Sequence, residues 1–104
     1  MSYLHRIADI QLAERLEAFG AVLIEGPKWC GKTTTAEQMS KSSISMQDPD
    51  MQEEYEVTAA SKPSLLLLGE TPRLIDEWQD APVIWDAVRT MVDKRQLPGQ
   101  FILT

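Results

Sequence analysis

The sequence predicts an α/β fold, a three-layer arrangement in which a parallel sheet carries helices on both faces. Two observations predict it. Short apolar segments bounded by glycine or proline alternate along the chain with longer stretches whose apolar residues recur at helical spacing. In addition, Ala21-Val22-Leu23-Ile24 is apolar at every position between Gly20 and Gly26, the pattern of a strand covered on both sides.

The chain opens on a helix expected from about Asp9 to Ala18, with Leu12, Leu16 and Phe19 at i, i+4 and i+7 and Gly20 suited to ending it. The first strand, 21–24, follows. A helix is expected from Lys32 to about Lys41, then a short strand from the alternation in Ile44 to Gln47. Asp48-Pro49-Asp50 can stop that strand and cap a helix over roughly Met51 to Ala60. Pro63 and Gly69 frame Leu65 to Leu68, read as a buried helical turn, with a strand as the alternative. Leu74-Ile75 leads into Asp76-Glu77 as the third strand. Asp80-Ala81-Pro82 offers an N-cap, with proline just inside the next helix, whose buried stripe is Ile84, Val88 and Met91. Pro98-Gly99 then turns the chain into a fourth strand, Gln100 to Thr104.

Composition narrows the partners. Among 104 residues, Lys and Arg number 10 against 16 Asp and Glu, a formal charge of −6. Without a basic cluster, binding to a nucleic-acid backbone or an anionic membrane is disfavoured. No apolar run exceeds the four residues of Leu65 to Leu68, against about 20 for a membrane span. Met1 to Arg6 lacks the pattern of a secretory signal, and the lone Cys30 allows no internal disulfide, so a soluble cytoplasmic protein is expected. One domain is expected, although nucleotide-hydrolysing α/β domains usually need about 150 residues or more, which points to an incomplete unit.

The chemistry is concentrated in two segments. Gly26-Pro27-Lys28-Trp29-Cys30-Gly31-Lys32-Thr33 matches G-x-x-x-x-G-K-[ST] and lies between a predicted strand and a predicted helix. The two glycines permit backbone torsions that turn successive N–H groups inward as a nest for phosphate oxygens, and the helix start adds its unpaired amides. Lys32 suits the β and γ phosphates, Thr33 a magnesium ion bridging them, and Thr34 a further hydroxyl contact. The bland alternative is a glycine-rich turn with an exposed lysine, but composition alone produces the match in only about 0.3% of chains this long. Cys30 is a small loop filler with no partner base, and His5 is inert.

The second segment, Arg73-Leu74-Ile75-Asp76-Glu77, ends a strand in adjacent carboxylates 44 positions after Lys32. Alone, this pattern marks only a solvated strand end. Paired with the loop, Asp76 can reach the magnesium shell and Glu77 can act as general base on water attacking the γ-phosphate. A small-molecule kinase, the less favoured reading, would need no such glutamate. No Asn-Lys-x-Asp segment is present to read guanine, so ATP is the expected nucleotide. The rival class is a nucleotide-gated regulatory module with slow or incidental hydrolysis.

These residues resemble the AAA+ ATPases, in particular a prokaryotic group whose N-terminal ATPase core precedes a C-terminal domain of unknown function. The resemblance rests on Gly26 to Thr35, on Asp76-Glu77-Trp78-Gln79 with Ala81-Pro82, and on Phe101-Ile102-Leu103-Thr104. It implies a P-loop NTPase-like sheet truncated after the fourth strand, with the first strand beside the fourth, then the third, then the second. It also implies that Thr104 lies between loop and carboxylates as a polar sensor of the γ-phosphate. The family's fifth strand, its arginine acting on a neighbouring subunit and its helical lid have no counterpart here, so residues 1–104 read as the N-terminal part of an ATPase domain. The bare edge of the first strand then implies self-association.

Other side chains read more simply. Glu53, Glu54 and Glu56 suit a wet helix face rather than a metal cluster; Trp78 and Trp85 suit packing; Arg89, Lys94 and Arg95 suit a helix C-terminus. Gln79 is a candidate for steadying the attacking water.

Overall fold

Four parallel strands in the order β1-β4-β3-β2 form the central sheet: β1 (Ala21–Leu23), β2 (Ser42–Ser45), β3 (Arg73–Asp76) and β4 (Phe101–Leu103). The computed structural model describes residues 12, 14–24 and 32–104. Ile102 is the reference point of the register, pairing with Val22 on one side and Leu74 on the other, while Ile44 pairs with Ile75. This is the strand order the family resemblance implies.

Alternation along the strands divides the core into two layers. Val22, Leu74 and Ile102 face one side, where they meet Leu12 and Leu16 of α1 (helical at 12 and over 14–18) and Ala36 of α2 (Lys32–Met39). Ile44, Ile75, Phe101 and Leu103 face the other, against Ala59 of α3 (Gln52–Ser61), Leu66 and Leu67 of a 3₁₀ helix (Pro63–Leu67), and Ile84 and Val88 of α4 (Val83–Arg95). Helices therefore cover both faces, and the strand at 21–23 is covered on both sides as its all-apolar sequence predicts.

Several boundaries differ from the sequence expectation. The first helix ends at Ala18 as expected, but Phe19, expected on its buried stripe, is 60% exposed: the chain turns away once the Phe19 N–H has bonded to the Arg15 carbonyl at 2.8 Å. A Cβ at the adjacent Gly20 would collide with the Val92 side chain, so the chain leaves the helix through a position that only glycine fills. The strand predicted at 44–47 begins two residues earlier, because Ser42 and Ser43 pair with Arg73 and Leu74 despite lacking any apolar signal. The helix predicted to reach Lys41 ends at Met39.

Two predicted caps are also corrected. β2 ends at Ser45, two residues short of the expected Gln47; the Asp48 carboxylate accepts from the Asp50 N–H at 3.0 Å in a tight turn, and Met51 at the N-terminus of α3 makes no side-chain cap. Asp80 belongs to the short 3₁₀ turn Trp78–Asp80, and α4 starts from Pro82, again without a side-chain cap. The run Leu65 to Leu68 is half right. Leu66 and Leu67 are buried, but Leu65 and Leu68 are exposed, because three residues per turn present only one face to the core.

Candidate active site

Parallel strands place all their C-terminal ends along one edge of the sheet, and the backbone ladder continues there past the formal strand ends. The Ile24 N–H donates to the Leu103 carbonyl at 2.8 Å, the Thr104 N–H to the Ile75 carbonyl at 3.1 Å, and the Glu77 N–H to the Thr104 carbonyl at 2.8 Å. Thr104 is thus held between the end of β1, which leads toward the glycine-rich segment, and the carboxylates that end β3.

The side chains follow that order. Thr104 is only 1% exposed, and its Oγ1 donates to Asp76 Oδ1 at 2.6 Å. A bond this short to an ionised acceptor is charge-assisted and fixes the rotation of the carboxylate. Asp76 is half-buried, so one oxygen is committed to Thr104 while the carboxylate retains lone pairs for a further donor or a cation.

Glu77 sits at a corner. Its backbone is left-handed, φ 57° and ψ 42°, a conformation that costs a non-glycine residue roughly 1 to 3 kcal/mol and persists only where its surroundings enforce it. The bond from its N–H to Thr104 holds the upstream side. Downstream, the 3₁₀ turn is closed by the Asp80 N–H on the Glu77 carbonyl at 3.2 Å and the Ala81 N–H on the Trp78 carbonyl at 3.0 Å. Trp78 packs against the core, its ring tilted 34° to that of Trp85 with centroids 5.7 Å apart, as their expected packing role requires. The indole Nε1 of Trp78 is buried and has no hydrogen-bond partner among the described residues. Gln79 is exposed on the same turn.

Gly26, Pro27, Lys28, Trp29, Cys30 and Gly31 lie outside the described residues, as do His5 and the side chains of Lys32, Thr33 and Thr34. The backbone of α2 begins at Lys32, where the sequence places the helix start.

As to a metal, the described residues contain no group of three His, Cys, Asp or Glu side chains close enough to form a protein cage. Magnesium does not need one: it keeps several waters and takes one or two carboxylates together with phosphate oxygens. The half-buried Asp76, oriented by Thr104, fits that donor set. Glu53, Glu54 and Glu56 are exposed along α3, as a wet face requires.

One residue escaped the sequence reading. Arg73 is 9% exposed at the opposite end of β3, where Nε donates to the Leu66 carbonyl at 2.8 Å and Nη1 to Ser42 Oγ at 3.1 Å. Burial pushes its guanidinium below the ordinary arginine value, with a smaller opposing contribution from Tyr55. Gly69, at φ +153°, makes room for it, since a Cβ there would stand 2.5 Å from Nη1. The available signal was an arginine opening an otherwise apolar strand. Arg73 braces β3 from its far end.

Comparison with known proteins places this arrangement in context. The family model described as an AAA domain matches residues 18–104. Two uncharacterized proteins, one from Mycobacterium bovis and one from Mycobacterium tuberculosis, are each 30% identical over 99 residues, covering 94% of this chain and 22% of their own length. The chain therefore spans about a fifth of the length of these curated relatives. No solved structure matches it. Among the described residues no helix is long and apolar enough to cross a membrane.

Proposed function

The chain belongs to the AAA domain family, and on that premise we propose that it binds ATP with magnesium and carries the residues that hydrolyse it. The observation that carries this reading is the Thr104–Asp76 bond of 2.6 Å, one strand removed from the β1 end that leads into G-x-x-x-x-G-K-T. In the proposed site, the amides of Gly26 to Thr33 and the Lys32 ammonium hold the β and γ phosphates, with Thr34 a further hydroxyl contact. Thr33 and Asp76 would hold the magnesium ion. When bound, the ion neutralises charge developing on the phosphate oxygens.

Glu77 takes a proton from water as the water oxygen bonds to the γ-phosphorus and the bridging P–O bond to ADP breaks. Thr104, held against Asp76, senses whether a γ-phosphate is present. The ATPase activity of the whole protein, its substrates and its partners belong to the same proposal.

The test is ATP binding with and without magnesium. A charge-assisted contact from lysine to phosphate contributes about 1.5 to 3 kcal/mol, so Lys32→Ala is expected to weaken binding by about 10- to 100-fold. Unchanged affinity would overturn the proposal. Glu77→Gln is expected to keep ATP bound and lose turnover.

A further inference from the structure

We infer that Trp78, braced by Trp85, is a positioning residue that holds Glu77 in its catalytic orientation; the inference rests on the proposed role of Glu77 and goes beyond it. The backbone torsions of a residue set where its side chain points. Those of Glu77 are left-handed, a state its own chemistry does not favour. Such a corner stays in place only when the chain is fixed on both sides of it.

On the strand side, the fixing element is the sheet: Glu77 donates to the Thr104 carbonyl, and Met46 donates to the Asp76 carbonyl at 3.0 Å. On the other side, the three residues of the 3₁₀ turn and the half-buried Ala81 lead to the exposed Pro82. Two of these, Gln79 and Asp80, are themselves exposed. Trp78 is the side chain of that turn packed against the core. Its contact is Trp85, one turn into α4, whose own N–H bonds to the Pro82 carbonyl at 3.0 Å.

The indole therefore clamps the turn to the start of α4, and the turn clamps Glu77. The buried Nε1, without a partner among the described residues, fits a side chain placed here for its ring rather than its hydrogen bond. Without the clamp, Glu77 can relax toward an ordinary backbone region and carry its carboxylate away from the attacking water. Displacement of a catalytic group by about 1 Å can lower a rate about 100-fold.

The test uses the intact protein and compares Trp78→Leu, Trp85→Leu, Trp85→Phe and Val88→Ala with the native chain. Val88 lies in the same core cluster and is buried, so its truncation destabilises that core while keeping both indole rings in the chain. Steady-state ATP hydrolysis and ATP affinity are measured at a temperature where each variant is folded. The expected result is a kcat lowered about 10- to 100-fold in both leucine variants with ATP affinity within about twofold of native. Trp85→Phe, which keeps a ring, should recover most of the rate, and Val88→Ala should retain it. In a Glu77→Gln background, Trp85→Leu should lower the residual turnover no further.

Equal losses in Val88→Ala and Trp85→Leu, or an undiminished kcat in Trp85→Leu, would overturn the inference. If Trp78→Leu fails to fold, the Trp85 variants still decide it. Should Glu77→Gln itself hydrolyse ATP at the native rate, the proposed function fails first, so the two failures are distinguishable.

Discussion

At the residue scale, the Thr104–Asp76 pair sets the site. A hydroxyl buried to 1% exposure and bonded at 2.6 Å to a carboxylate has given up its contacts with water, so its worth is the strength of that single bond. Thr104→Val keeps the shape and removes the donor. The acceptor is half-buried and can be partly rehydrated, so the expected loss is about 1 to 2 kcal/mol of folding stability, with Thr104→Ser recovering most of it. Urea denaturation with an unchanged slope would measure this. No loss in the valine variant would mean that the hydroxyl leaves Asp76 in solution. Trp78 and Arg73 illustrate the same scale differently: Trp78 is half-buried, packed against the core beside the Glu77 corner, and Arg73 is buried at the far end of β3.

At the scale of elements, the sequence carries the layout well and the joints poorly. The strand at 21–23 and the Ile84–Val88 face of α4 are legible because an apolar run and an apolar stripe both come directly from burial. β2 is shifted because Ser42 and Ser43 enter the sheet through backbone pairing with β3, and such pairing leaves no mark on side-chain type. The caps are misread because both residues are used in turns immediately before the helices: the Asp48 carboxylate closes a local turn on the Asp50 N–H, and Asp80 enters the 3₁₀ turn through its backbone N–H.

That distinction is measurable. If Asp80 capped α4, Asp80→Ala would cost about 1 kcal/mol; as an exposed turn residue it is expected to change stability by less than about 0.5 kcal/mol. Thermal denaturation separates the two, and a full-sized loss would restore the capping role. For the candidate site, the proposed residue types can be picked out of the sequence because the phosphate and metal chemistry proposed for them would restrict them. The left-handed corner at Glu77 and its brace are not, since nothing in the letters Asp-Glu-Trp announces a positive φ.

At the scale of the molecule, the sheet is asymmetric at its two edges. β2 presents Ser42-Ser43-Ile44-Ser45, whereas β1 presents Ala-Val-Leu with no proline or lysine to discourage pairing. Because Ile24 turns its N–H toward β4, the alternation of the backbone turns the groups of Ala21 and Leu23 outward, and among the described residues no strand pairs with them. Edge-to-edge association through β1 is therefore expected of the 104-residue chain. Its charge of −6 opposes that association, and the opposition weakens as salt shortens the screening length from about 10 Å at 0.1 M to about 3 Å at 1 M.

Light scattering should then show an average mass that rises with protein concentration and rises further with salt, the reverse of an ion-paired interface. Ala21→Pro tests the route. Proline is tolerated at the first residue of an edge strand, and it removes one outward N–H while leaving the inward bonds to β4 intact. The variant is expected to remain monomeric under conditions in which the native chain associates. A native chain that stays monomeric at high concentration and high salt, or a proline variant that associates equally well, would place any contact between copies somewhere other than this edge.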